Sequence, residues 1–152
     1  MKLFLKIILF TLIVIWCAGF LIEFLIPHFG NAVYALPFLN KFYSLVCHQN
    51  PAKLITINGY STLVCARCTG IYFGFLFSAA IFIFAIKITE PKIKYFIFAG
   101  IPMLLDVLFY SVGIYHYSKT VALFTGLLLG SVGFIYFYDA LKKLYFEFKE
   151  KR

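Results

Sequence analysis

Residues 47–74 read CHQNPAKLITINGYSTLVCARCTGIYFG, and the fold turns on how this stretch divides. Up to Cys65 it is polar enough for water; from Cys68 the chain is apolar for a length that crosses a bilayer. It carries three of the four cysteines, one of the three histidines and Arg67, the one arginine lying between hydrophobic segments. A loop rich in soft ligands that runs straight into an apolar helix predicts a site at the mouth of a membrane bundle.

The composition agrees. The chain has 152 residues, 63% hydrophobic, 21% aromatic and only 13% charged. Soluble domains average about 45–50% apolar and about 25% charged, and a chain this short buries only part of its surface. The excess belongs in lipid. The net charge of +8 does not indicate nucleic acid, because the basic residues fall where a membrane protein needs them. Four cysteines are too few for a disulfide scaffold, so their spacing matters more than their number.

Working outward, an all-α membrane protein with four transmembrane helices is expected, forming a single integral domain over residues 1–152. The spans fall at 3–26, 68–88, 95–114 and 120–141, each close to the 20 or so apolar residues that cross the hydrocarbon. The first run is too long for a signal peptide and lacks small residues where cleavage would occur. Cys17 inside it reads as a small packing residue. The loop 28–67 begins with an aromatic, Pro37-broken segment expected to lie as a short helix at the interface. A hairpin follows, LITI and YSTL flanking Asn58-Gly59, the pair that supplies both positive-φ residues of a type I′ turn; a plain surface loop is the alternative. The basic and aromatic tail after Leu141 is read as the interfacial end of the last helix.

Lysine and arginine orient the chain. With the N-terminus inside, ten fall on the inner side and four, Lys41, Lys53, Arg67 and Lys119, on the outer. Both termini are therefore expected in the cytoplasm, in the cytoplasmic membrane, with the cysteine-rich knuckle outside. Gly70-x-x-x-Gly74 and Gly126-x-x-x-Gly130 mark helices that pack backbone to backbone in lipid.

Cys47, seventeen intervening residues, then Cys65-Ala66-Arg67-Cys68 is a metal-site spacing. The C-x-x-C turn points two sulfurs one way and the hairpin returns the chain beside a third; zinc takes four such ligands, often Cys₃His. His48 and His116, with His28, fall on the same expected side. Adjacent Cys47 and His48 rarely share an ion, so the fourth ligand is open between His116 and His28. Zinc is the expected cofactor, with Arg67 offsetting the negative charge of three thiolates. An alternative uses Cys65 and Cys68 as redox thiols coupled to a quinone. A third uses Asp106, a charge roughly 13 Å below the outer end at 1.5 Å per residue, in a transporter or lipid-handling protein. Such a charge needs a partner, and Arg67 is expected to reach towards it, with Tyr110 or Thr125 filling in.

The strings CHQ-x-P and CARCTGIYFG, with Pro102-x-x-x-Asp106 and Thr125-Gly126 further on, resemble a family of small prokaryotic membrane proteins known only as a domain of unknown function. The resemblance runs from about Tyr34 to Phe137. It implies four membrane helices and no established activity, and adds Gln49, Thr69 and Tyr72 to the functional candidates. The chain departs from the family at Lys53-Leu54, where Arg-Ser is common, and at Ala122, where an arginine often stands. The leading expectation is an outward-facing Cys₃/His site, metal-binding and structural. Whether the protein is an enzyme, and which proteins it meets, stay open; the lipid bilayer is the one partner implied.

Overall fold

In a computed structural model of the chain, residues 3–27, 30–84 and 92–150 are described. Helix α1 covers Leu3–Phe20 and a four-residue α2 covers Ile22–Leu25. A 3₁₀ turn, Gly30–Ala35, leads into α3, Leu36–Ser44. After a 3₁₀ turn at Pro51–Lys53 come β1, Leu54–Ile57, and β2, Tyr60–Cys65. Helices α4, Ala66–Phe84, α5, Ile93–Ser111, and α6, Lys119–Glu150, complete the chain.

Helices α4, α5 and α6 are long and apolar enough to cross a membrane; the apolar part of α1, Lys6–Phe20, is shorter. The expected first span over 3–26 is interrupted at Leu21, whose φ of −96° and ψ of 9° lie outside the helix. The interruption follows Gly19, where a Cβ would strike the Tyr43 hydroxyl. That hydroxyl donates 2.7 Å to the Trp16 carbonyl, and past the break the Phe24 N–H turns to the Leu21 carbonyl at 3.0 Å, an i to i−3 bond. The second expected span begins two residues earlier than its reading, and its end at residues 85–88 lies outside the described residues. The third ends at Ser111, three residues before the expected 114.

The hairpin forms as the sequence implies. Asn58 and Gly59 take φ of 52° and 85°, and Ile57 pairs with Tyr60 and Thr56 with Ser61. A β-bulge between Leu54 and Thr56 then brings Leu54 opposite Cys65. Glu23 of α2 reaches the hairpin, its carboxylate accepting from the Ser61 backbone N–H at 2.6 Å and from the Ser61 hydroxyl at 3.0 Å.

Helices α4 and α6 run parallel and touch through their glycines. A Cβ at Gly70 or Gly74 would strike the Leu123 or Leu127 carbonyl oxygen, and one at Gly126 or Gly130 the Arg67 or Ile71 carbonyl oxygen. The Ser78 hydroxyl continues the seam, donating 2.9 Å to the Ser131 carbonyl. Small residues allow this approach where lipid supplies no hydrophobic drive between helices. Helix α1 packs on α4, with Cys17 buried and its thiol 3.8 Å from the Tyr72 carbonyl. Helix α5 packs on α6 and buries one residue, Asp106; Ile97, Phe98 and Leu104 are exposed. In water such a surface is a liability; in a bilayer it is the face that meets lipid.

Candidate functional site

The three cysteines of the 47–74 stretch meet at the hairpin end of the bundle. Each comes from a different piece of local structure. Cys47 follows α3, and its backbone N–H donates 2.9 Å to the Tyr43 carbonyl. Cys65 is the last residue of β2, and Cys68 stands in the first turn of α4. Their Sγ atoms all lie within 4.8 Å of one another, and all three thiols are free. The Cys65 backbone N–H donates 3.2 Å to Cys47 Sγ. The Cys65 thiol first, then Cys68, also hydrogen-bond to Cys47, and together these contacts hold its thiol well below the usual thiol range against the opposing effect of burial. A thiol held down in this way is one that can bind a soft metal ion or react as a nucleophile.

Gln49 fixes the loop that presents Cys47. It has a φ of 45°, and its side-chain amide donates to the Asn40 carbonyl at 3.2 Å and the Leu63 carbonyl at 2.9 Å. It therefore ties α3 to β2 on either side of Cys47. His48 and His116 are both exposed, and neither belongs to the three-sulfur group. His28 lies outside the described residues. The Thr69 hydroxyl donates back to the Cys65 carbonyl at 3.2 Å, and the Thr125 hydroxyl to the Val121 and Ala122 carbonyls, so each is used within its own helical turn. The Tyr72 ring packs on Trp16 and Phe20 at 5.6 and 5.7 Å between centroids. An apolar groove of about 340 Å³ runs beside it between α1, α4 and α6.

Arg67 does not compensate the thiols as the sequence suggested. It stands one residue before Cys68 on α4, so the two side chains leave the helix about 100° apart. Its guanidinium pairs with Asp106 of α5. The other oxygen of that carboxylate accepts from the Tyr115 hydroxyl; Tyr115 fills the place expected for Tyr110 or Thr125. Asp106 is only 5% exposed. It stands five residues before the end of α5 at Ser111, so it is roughly 7–8 Å below that end, shallower than the expected 13 Å. Lys53 lies over two tyrosines of this region, its ammonium 4.4 Å from the Tyr110 ring centre and 5.2 Å from that of Tyr117. The Tyr117 phenol is pushed up to about 12, chiefly by burial and then by the charge of Cys65, with Arg67 acting in the opposite sense.

Three residues that complete this arrangement escaped sequence reasoning: Lys53, Tyr115 and Tyr117. In the sequence Lys53 reads as an outer-side charge and as a departure from the family pattern, with nothing to tie it to the tyrosines. The two tyrosines flank His116 in a Tyr-His-Tyr run, and that run was the available signal, because three ring-bearing polar residues in a short connection rarely all face water.

No solved structure matches the chain. Over 91 residues it is 38% identical to an uncharacterised protein of Methanocaldococcus jannaschii, a match that covers 58% of this chain and 58% of that protein. Over 100 residues it is 30% identical to an uncharacterised protein of Methanothermobacter thermautotrophicus, covering 65% of this chain and 89% of the relative. The first relative is thus matched along little more than half its length. A family profile matches residues 47–136, from the first cysteine of the cluster into α6, and the chain therefore belongs to the family described as "Predicted membrane protein (DUF2085)".

Proposed function

We propose that this is a four-span protein of the cytoplasmic membrane whose outer face carries a metal centre held by Cys47, Cys65 and Cys68. The observation that carries the reading is the meeting of three free sulfurs within 4.8 Å of one another, supplied by a loop, a strand end and a helix start. A metal ion deprotonates such thiols and joins the three pieces of chain, so the centre is structural first: it locks the knuckle onto α4. Zinc is the ion that matches a thiolate-rich set. The fourth ligand comes from His28, His116 or solvent. Helix α1, extended by α2, acts as the first span, and the ten-to-four split of Lys and Arg puts both termini in the cytoplasm.

The test is metal content. Protein purified in detergent under reducing conditions should carry close to one equivalent of zinc, and Cys47→Ser should lose it together with thermal stability. Retention of metal and fold in Cys47→Ser would rule the three-cysteine centre out. The redox reading has one observation in its favour: Cys65 and Cys68 stand three residues apart on either side of the start of α4, with their sulfurs within 4.8 Å. It requires only that pair, so it survives Cys47→Ser and predicts a reversible Cys65–Cys68 disulfide. A transport role for Asp106 has less support, because Arg67 and Tyr115 already take both of its carboxylate oxygens.

A further inference from the structure

We infer that Lys53 holds the phosphate of a phospholipid in the leaflet on the knuckle side, at a seat walled by Tyr110 and Tyr117. The inference is independent of the metal reading and rests only on the chain lying in a membrane.

Lys53 closes the 3₁₀ turn Pro51–Lys53. Asn50 fixes that turn: its side chain accepts from the Ala52 N–H at 3.0 Å, and its carbonyl from the Lys53 N–H at 2.9 Å. From there the half-buried lysine reaches the connection between α5 and α6, its ammonium 4.4 Å from the Tyr110 ring centre and 5.2 Å from that of Tyr117. The two rings meet edge to face at 5.6 Å between centroids. These three distances make the rings subtend less than a right angle at the ammonium, so they cover one side of it. An ammonium carries three N–H donors, and its other side is left for an anion. Among the described residues no carboxylate pairs with it. The acidic residues described at the knuckle end are Glu23, which is taken up by Ser61, and Asp106, which is taken up by Arg67 and Tyr115. Arg67 and Asp106 cancel, and the charge of Lys53 stands uncompensated.

Depth selects the source of the anion. Helix α5, with 19 residues, is about 28 Å long against a hydrocarbon core of about 30 Å. Tyr110 is its second-last residue, so the Lys53 ammonium stands where hydrocarbon gives way to headgroups. Tyrosines gather at that level, and lysine carries its ammonium to it on an apolar stem. Below Tyr110 the surface of α5 is apolar and exposed at Leu104, Val107 and Leu108, which gives acyl chains a path beneath the headgroup. Lysine binds phosphate as a point charge, so the phosphate sets the class of ligand and the group esterified to it does not.

Dioleoylphosphatidylglycerol serves as the probe, titrated into the full-length, delipidated protein in detergent and counted as bound lipid by native mass spectrometry. Lys53→Gln should weaken binding of the first lipid about ten- to a hundredfold, the size of a hydrogen bond to a charged group. Lys53→Arg, which keeps a cation over the rings, should retain it. Lys119→Gln, which removes an exposed cation from the start of α6, should leave it unchanged. Dioleoylglycerol, with the same chains and no phosphate, should bind about tenfold more weakly or worse, and excess inorganic phosphate should not displace the lipid. Unchanged binding in Lys53→Gln overturns the inference. So does an equal loss in Lys119→Gln, which would mean a diffuse attraction to a positive surface. A loss in Lys53→Arg as deep as in Lys53→Gln would mean that shape and not charge holds the lipid. Equally tight binding of dioleoylglycerol would leave the phosphate no part in it. Displacement by inorganic phosphate would make the seat one for a free anion, and the lipid assignment would fall.

Discussion

Asp106 is the residue on which α5 depends, since it is the only one that helix buries and it meets Arg67 and Tyr115 at once. Removing one partner of a buried ion pair leaves the other charge uncompensated, at a cost of about 3–5 kcal/mol. Asp106→Ala should therefore destabilise the detergent-solubilised protein by about that amount. Asp106→Asn, whose one oxygen still accepts from Arg67 and whose NH2 can donate to the Tyr115 oxygen, should lose about 1–3 kcal/mol; thermal denaturation of the two variants side by side checks this. An Asn variant as unstable as the Ala variant would mean that charge, and not hydrogen bonding, holds α5. The sequence exposed Asp106 and Arg67 as a pair because a carboxylate in an apolar run must have a partner. It could not expose Tyr115, because nothing in a three-residue Tyr-His-Tyr run says which ring turns inward. The cysteines were legible for the opposite reason: C-x-x-C fixes two sulfurs locally, and the Asn58-Gly59 turn brings the chain back to the third.

Among the elements, the seam between α4 and α6 was readable from two G-x-x-x-G spacings, and the register in which they meet was not. Gly126 faces the Arg67 carbonyl, so this seam runs directly beneath the cysteine turn. Gly126→Ala places a methyl against backbone that cannot rotate away, and overpacking of this kind costs about 1–3 kcal/mol. The expected outcome is a less stable protein that also binds metal more weakly, measured by denaturation and by metal titration on the same preparation. Gly100, where a Cβ would meet nothing within 4 Å, supplies the contrast: Gly100→Ala should leave metal binding unchanged. The break in α1 at Leu21 was illegible for a physical reason. The Tyr43 hydroxyl meets Gly19 and the Trp16 carbonyl just before it, from a helix more than twenty residues further along the chain, and no local propensity encodes that contact.

For the whole molecule, the three long apolar helices and the exposed apolar face of α5 fit a bilayer, while the orientation rests on the positions of Lys and Arg. An impermeant thiol reagent applied to intact cells should label Cys65 or Cys68 after chelation and reduction. Labelling that needs lysis would reverse the orientation. Helix α6, with 32 residues, is about 48 Å long against a hydrocarbon core of about 30 Å. Its basic final turns therefore project well past the membrane on the side away from the knuckle. On the knuckle side the hairpin has two strands among the described residues, and an outer edge of this kind is one on which a second chain can add a strand; here the edge of β2 is taken up, the Leu63 carbonyl by Gln49 and the Cys65 N–H by Cys47 Sγ. Glu23 occupies that edge at Ser61 with a carboxylate. Side chains from α2 and from the loop after α3 thus do for this sheet what a neighbouring strand would otherwise do, and they leave this edge closed to a second chain.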